Sequence, residues 1–328
     1  MPSTDPTRVG LAVYGCEPDE AELFRGLGPR FGVRPTTTSD ALSEANAMAV
    51  RGNRCVSVGH KSEIGARVLH ALKDTGVDYI STRSIGLNHI DLDAAARVGI
   101  TVENVTYAPD GVADFTVMLM LMAIRNAKAT VTSANNYDFR LGSIRGRELR
   151  DMTVGVVGVG NIGHAVIRRL RGFGCRVLAC NGGVPAVVKH FVSLDELLAE
   201  SDIVTLHLPL TTETHHLVGR EEIAAMKPGA CLVNTGRGAL VDTDALLMAL
   251  EAGALGGAAL DVLEGEEGLF YFDCRHRSID DRRLLRLQCL PNVIITPHTA
   301  YYTGRALHDV VEQTLVKCRA FESSRANA

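Results

Sequence analysis

The sequence predicts an α/β protein of two units, each built on a parallel sheet. Three observations predict it. Short apolar runs bounded by glycine alternate with amphipathic stretches of helical spacing, the pattern of parallel strands joined by crossover helices. That alternation occurs twice, before Ile100 and again after Met152. At 328 residues the chain is also long enough for two cores rather than one.

In the first stretch, residues 9–14 (VGLAVY), 55–60 (CVSVGH) and 77–83 (VDYISTR) read as strands. Between the last two, Ile64, Val68, Leu69 and Leu72 recur at helical spacing, and Gly76 supplies a stop. Asp91 is placed to cap a short helix over DLDAAARVG. Pro109 precedes GVADFTVMLMLMAIRNA, which is apolar on most sides and so predicts a helix buried between domains or against a partner subunit. Its methionines read as packing. NNYDFRLGSIRGRELRDM reads as a polar surface connection.

The second stretch opens with TVGVVGVGNIGHAVIRRLRGFGCRVLAC: strand, glycine turn, amphipathic helix, strand. Further strands are expected at 203–208, 230–236, 256–262 and 292–298, with helices starting at Ser193, Gly219 and Thr243. Ser193 and Glu196 have capping-box spacing. A last helix, TGRALHDVVEQTLVKCRAFE, closes the chain with no strand after it.

Composition narrows the function. A hydrophobic fraction of 46% with 22% charged residues is that of an ordinary soluble protein. A net charge of -4 gives no broad positive field, so neither nucleic acid nor an anionic membrane is expected as a partner. The N-terminus does not read as a signal peptide. The most apolar stretch, 112–124, contains Asp114 and is too short to span a bilayer, so a cytoplasmic protein is expected. The eight cysteines have no tight spacing and need form no disulfides. No metal site is expected either, because Cys274, His276 and Cys289 are scattered through a polar stretch. G-x-S-x-G and H-E-x-x-H are absent.

Gly158, Gly160 and Gly163 form G-x-G-x-x-G between a strand and a helix, the context in which that motif binds a dinucleotide. The first glycine permits the turn, the second lets the backbone approach the pyrophosphate, and the third lets helix and sheet pack closely. Unpaired N–H groups of the helix N-terminus then face the phosphates. The next strand should end in an acidic residue for the adenosine ribose of NAD, but Asn181 stands there. It neither repels nor attracts a 2′-phosphate, so NADH and NADPH are both permitted.

Three residues suit hydride transfer to a 2-keto acid, which needs a cation for the carboxylate, an acid for the carbonyl oxygen and a partner that keeps the acid charged. Arg237, in NTGRG after a strand, offers a bidentate fork. His298, in TPHTAYY after another strand, suits proton transfer near neutral pH. Packed or surface positions suit His190, His215, His216 and His276 better. Glu266 is the candidate partner, with Glu264 and Glu267 as rivals that spacing does not separate. Asp261, ending a strand, is placed to orient the nicotinamide.

The ordered set Gly158-Gly160-Gly163, NTGRG at 234–238, the run from Asp261 to Glu266, and PHTA at 297–300 resembles the D-isomer-specific 2-hydroxyacid dehydrogenases over nearly the whole chain. Segments such as VYGCE, SVGHKSEI, YDFRL, RLRGFGC, GGAALDVLEGEE and PNVIITPHTAYYT resemble the glycopeptide-resistance branch of that family. That branch reduces pyruvate to D-lactate for a partner D-alanyl-D-lactate ligase. The resemblance implies that Arg237 binds the carboxylate and carbonyl, Glu266 is the histidine's partner and His298 is the acid–base residue. It places Asn161 and Ile162 at the pyrophosphate, Asn181 at the ribose, Leu208, Pro209 and Thr214 along the cofactor cleft, and Thr235, Gly236 and Asp261 near the nicotinamide. The amides of Ser84, Ile85 and Gly86 should meet the substrate carboxylate, and Tyr107 and Tyr301 should line the substrate. The layout implied is a flavodoxin-like substrate domain at 1–106, an inserted Rossmann domain at 107–299 and a returning helix at 300–328. A homodimer through the cofactor domain is implied as well. The rival readings are reduction of another small 2-keto acid (glyoxylate, hydroxypyruvate or a longer one) and an NAD-sensing corepressor on the same fold.

Overall fold

The computed structural model describes residues 9–50, 52–61, 63–142, 145–180 and 191–326. The chain forms two compact units, Met1–Ala108 with Tyr302–Ala328, and Pro109–Tyr301. The expected crossings, after 106 and after 299, fell slightly early: Tyr107 belongs to the first unit, and Ala300 and Tyr301 to the second.

The first unit runs β1 (Val9–Val13), α1 (Pro18–Leu27), β2 (Val33–Thr37), β3 (Cys55–Val58), α2 (Ala66–Asp74), β4 (Tyr79–Thr82), α3 (Leu92–Val98) and β5 (Thr101–Asn104). Its five strands are parallel in the order β2-β1-β3-β4-β5, the flavodoxin-like order. The inner strands β3 and β4 are buried throughout, so their sequences are continuous apolar or small runs. β2 carries Pro35, which an edge strand tolerates because it has one unpaired side. Asp91 caps α3 by accepting the Ala94 N–H at 2.8 Å, and Gly99 ends it at φ 72°.

The second unit runs α4 (Asp110–Ile124), α5 (Ala127–Asn135), β6 (Thr153–Val157), α6 (Asn161–Leu170), β7 (Arg176–Cys180), α7 (Leu194–Glu200), β8 (Ile203–Leu206), α8 (Arg220–Ala225), β9 (Cys231–Asn234), α9 (Thr243–Glu251), β10 (Gly257–Leu260), α10 (Arg282–Cys289) and β11 (Val293–Ile295). Its parallel sheet has the order β11-β10-β9-β8-β6-β7. The chain starts at β6, next to the sheet edge, adds β7 on one side, then returns to β8 on the other. The gap between the carboxyl ends of β6 and β8 is therefore the topological switch point, where such sheets bind ligands. Ser193 caps α7 by accepting the Glu196 N–H at 3.2 Å.

Separate apolar clusters cover the two faces of this sheet. α4 lies in one of them with α6: Ala113, Leu119 and Met120 are fully buried there, while Met118 is exposed. The expected interface helix is thus core of its own unit on most of its surface. The last helix, α11 (Gly304–Ala326), returns to the first unit, where Val311, Leu315 and Cys318 are buried against β1 and β4, and Phe321 stacks on Tyr79 with centroids 4.7 Å apart. No described helix is long and apolar enough to cross a membrane.

Candidate active site

The glycine turn after β6 sits at the switch point. Gly158 has φ 93°, and a Cβ there would lie 2.8 Å from the His207 carbonyl carbon and oxygen. A Cβ at Gly163 would collide with the Gly158 carbonyl oxygen. Both glycines are therefore required by the protein's own packing. Gly160 differs: it caps α6 with φ -80°, and nothing in the protein lies within 4 Å of a Cβ built there. That open space, at the N-terminus of a ten-residue helix beginning at Asn161 and Ile162, is the cradle a pyrophosphate would fill. The residues present fit a dinucleotide cofactor.

The opposite wall comes from the segment after β8. Leu208 reaches the Gly158 turn, and a Cβ at Gly236 would lie 3.4 Å from the Leu208 carbonyl. Thr214 donates to the Pro209 carbonyl at 2.7 Å and accepts the Thr211 N–H at 2.8 Å, folding this loop on itself. The His207 imidazole is bonded through Nε2 to Thr205 Oγ1 at 3.1 Å, and its buried Nδ1 has no partner among the described residues. Burial pushes its pKa down to about 3, so the ring is neutral near pH 7. Asn181, the expected ribose residue, lies outside the described residues.

β9 delivers Arg237. The buried Asn234 side chain donates to the Arg237 carbonyl at 2.8 Å and accepts the Gly236 N–H at 3.0 Å, which fixes the NTGRG turn. The guanidinium donates to the Gly236 carbonyl at 2.7 Å. Among the described residues no carboxylate pairs with it, so its charge is available to an anionic ligand. Thr235 is buried, with its hydroxyl 2.9 Å from that of Thr116 on α4.

His298 and Glu266 are in contact. His298 Nδ1 and Glu266 Oε1 are 2.5 Å apart, and both side chains are largely buried. The other oxygen of Glu266 accepts the Leu263 N–H at 2.7 Å, so the carboxylate is gripped from two sides. Glu264 faces elsewhere, toward His216 and Arg283. The structure therefore separates Glu266 from that rival.

His298 has φ 54°, a left-handed conformation uncommon for a residue with a side chain. Its N–H donates to the Asp261 carbonyl at 2.7 Å, and its carbonyl accepts the Tyr271 hydroxyl at 3.0 Å. Asp261 is fully buried. Its carboxylate accepts from Thr296 Oγ1 at 2.6 Å and from the N–H groups of Thr299 and Ala300 at 2.9 and 2.8 Å. Asp261 thus shapes the loop that presents His298. The Tyr301 ring stands edge-on to the imidazole at 6.3 Å.

Tyr271 escaped the sequence reading. Its phenol is buried, which raises its pKa, and it feels the charges of Tyr301, Glu266, Asp261 and Arg237. It marks the place where the separately expected residues converge. Asn234 was missed too, although the NTG turn before an arginine was a signal for it. In the first unit, Asn104 Nδ2 donates to the Ile85 carbonyl at 2.6 Å and Ser84 Oγ to the Gly86 carbonyl at 2.7 Å. These bonds hold the loop by its carbonyls. Ile85 is exposed, and Tyr107 lies half-buried at the end of this unit's N-terminal segment.

Comparison with known proteins decides the family. Residues 117–300 match the model of the D-isomer specific 2-hydroxyacid dehydrogenase NAD binding domain. The chain belongs to the D-isomer-specific 2-hydroxyacid dehydrogenases. It is a nicotinamide-dependent oxidoreductase of 2-hydroxy and 2-keto acids. Similar relatives include a D-specific alpha-keto acid dehydrogenase of Enterococcus faecium, 61% identical over 96% of this chain and 97% of the relative. An aromatic 2-oxoacid reductase of Clostridium sporogenes is 37% identical over 95% and 96%. Among solved structures, the pyruvate reductase of Chlamydomonas reinhardtii aligns with a TM-score of 0.89 and 33% identity over 97% of each chain.

Proposed function

We propose that this dehydrogenase reduces pyruvate to D-lactate, in the manner of the VanH enzymes of glycopeptide resistance. The observation that carries the chemistry is the 2.5 Å contact between His298 and Glu266, beside an Arg237 with no carboxylate partner among the described residues. The nicotinamide cofactor supplies the hydride. Arg237 binds the keto acid's carboxylate with its planar fork and draws electron density from the carbonyl. His298, held at Nδ1 by Glu266, gives the proton to the carbonyl oxygen from the ring's other side. The Leu263 N–H holds that carboxylate in place. Ile85, Gly86, Tyr107 and Tyr301 are the proposed substrate contacts, and Gly158 to Gly163 with Leu208, Pro209 and Gly236 the proposed cofactor contacts. NADH and NADPH are both admitted, since the position that discriminates them is Asn181.

The relation to the Enterococcus faecium enzyme supports a D-specific product, and the small-acid choice is supported by the likeness to a pyruvate reductase. The product would feed a D-alanyl-D-lactate ligase. The enzyme is proposed to act as a homodimer through its cofactor unit, supported by the exposed apolar side chains Tyr137, Phe139 and Leu141 in the segment after α5. A second reading, an aromatic or longer 2-keto acid, draws support from the Clostridium sporogenes relative.

The test is a panel of 2-keto acids with NADH and with NADPH. Pyruvate should show the highest kcat/KM, and His298→Gln should lower it by about 100- to 10,000-fold, the range for loss of a general acid. A phenyl-bearing keto acid turned over faster than pyruvate would favour the second reading. Unchanged turnover in His298→Gln would refute the proton-donor assignment.

A further inference from the structure

We infer that His215, His216 and Glu264 form a binding site for a divalent transition ion of the zinc class, separate from the Arg237–Glu266–His298 set. Their ligand atoms lie within 4.8 Å of one another and come from two different segments, the loop after β8 and the turn after β10. Nothing in the chain's order points to this, since two adjacent histidines read as packed or surface residues and Glu264 lies far along the chain.

Adjacent side chains in an extended segment point to opposite faces. Here His216 adopts φ 51°, and the two imidazoles stack with centroids 4.0 Å apart instead of diverging. Glu264 meets them from the other segment: its Oε1 lies 2.8 Å from His216 Nε2. Its second oxygen accepts from Arg283 on α10 at 3.3 Å. That guanidinium orients the carboxylate from behind, the part an outer-shell partner plays at a metal site.

The donor set selects the ion. Two imidazoles and one carboxylate suit zinc and its neighbours, whereas calcium and magnesium need shells of oxygen. Zinc–nitrogen bonds of about 2.0–2.1 Å place tetrahedral ligands roughly 3.3 Å apart. The ligand atoms now lie within 4.8 Å of one another, a spread looser than that of a filled tetrahedral site. The difference closes by rotation of the His215 ring, which is exposed and has room to turn. The ion replaces the shared proton between His216 and Glu264, and water takes the fourth position. His216 and Glu264 side chains are 35% and 22% exposed, so solvent reaches the site. Bound ion would clamp the Thr214-bearing loop to the turn that carries Glu266.

The experiment is calorimetric titration of zinc into chelator-stripped full-length protein, with cobalt as a spectroscopic probe. The expected result is one saturable ion per chain. His215→Gln and His216→Gln should each weaken binding at least tenfold while leaving metal-free pyruvate turnover and the melting temperature unchanged. Cobalt should give tetrahedral visible bands without a thiolate charge-transfer band, because the set holds no sulfur. Absence of saturable binding, binding indifferent to both histidine variants, or a thiolate band would each overturn the assignment.

Discussion

His298 depends on neighbours for its backbone conformation. A non-glycine residue in the left-handed region costs of the order of 1 kcal/mol or more and persists only when its surroundings hold it. Here the Asp261 carbonyl holds the His298 N–H and the Tyr271 hydroxyl holds its carbonyl. Tyr271→Phe removes one of these holds and leaves a part-buried carbonyl without that donor, at about 1 kcal/mol. We expect a fall in kcat of roughly threefold to tenfold with cofactor affinity unchanged, measured by steady-state kinetics and cofactor titration. Unchanged kcat would show that the loop holds itself without the phenol. His207 gives a prediction about pH. Its folded pKa of about 3 lies below the ordinary value of 6.5. Its neutral ring therefore favours the folded state fully above pH 6.5, and that contribution is lost as the pH falls toward 3. Wild-type stability should decline across this window with up to about 1.4 kcal/mol per pH unit from this residue. His207→Asn should flatten the decline, as read by denaturant melts at stepped pH.

At the scale of the element, the three glycines of one motif should behave differently. Gly158→Ala and Gly163→Ala force a Cβ into backbone and should destabilise the second unit by about 1–3 kcal/mol. Gly160→Ala meets open space, so its melting temperature should stay near wild type while its cofactor affinity falls. Equal melting temperatures for all three would contradict the packing described. This region was legible in the sequence because strand, turn and helix each carry a local signal. Other elements were silent for physical reasons. β2 is an edge strand with polar and proline residues and needs little apolar content. α10, RRLLRLQC, buries only Leu284 and Leu287, too short a stripe to read. In the candidate site, strand ends and family resemblance singled out Arg237, Glu266 and His298, and the contact between the last two was legible that way. Tyr271 lies in an irregular stretch between β10 and α10, where no periodicity leads the eye to it. The loop-holding bonds of Asp261 were not legible, because a strand-end carboxylate looks the same whether it faces a ligand or a loop's amides.

At the scale of the molecule, the two units share a topology without a shared sequence. Each begins at a strand next to the sheet edge, and its strands lie side by side in the order second, first, third, fourth, fifth, with a sixth in the second unit. Right-handed crossovers between parallel strands make that winding common, so a repeated fold needs no repeated sequence. The proposed dimer is tested at this scale. Tyr137, Phe139 and Leu141 are 84%, 77% and 100% exposed, and so many large apolar groups in one short segment should be covered in solution. Light scattering should give twice the 35.2 kDa chain mass, and the double variant Phe139→Asp, Leu141→Asp should give the single mass. A monomeric wild type would refute the dimer. The most direct test of the central claim is chiral chromatography of the product formed from pyruvate and reduced cofactor. D-lactate alone is expected, its formation slowed by about 100- to 10,000-fold in His298→Gln; L-lactate, or no lactate from the wild-type protein, would contradict the assignment.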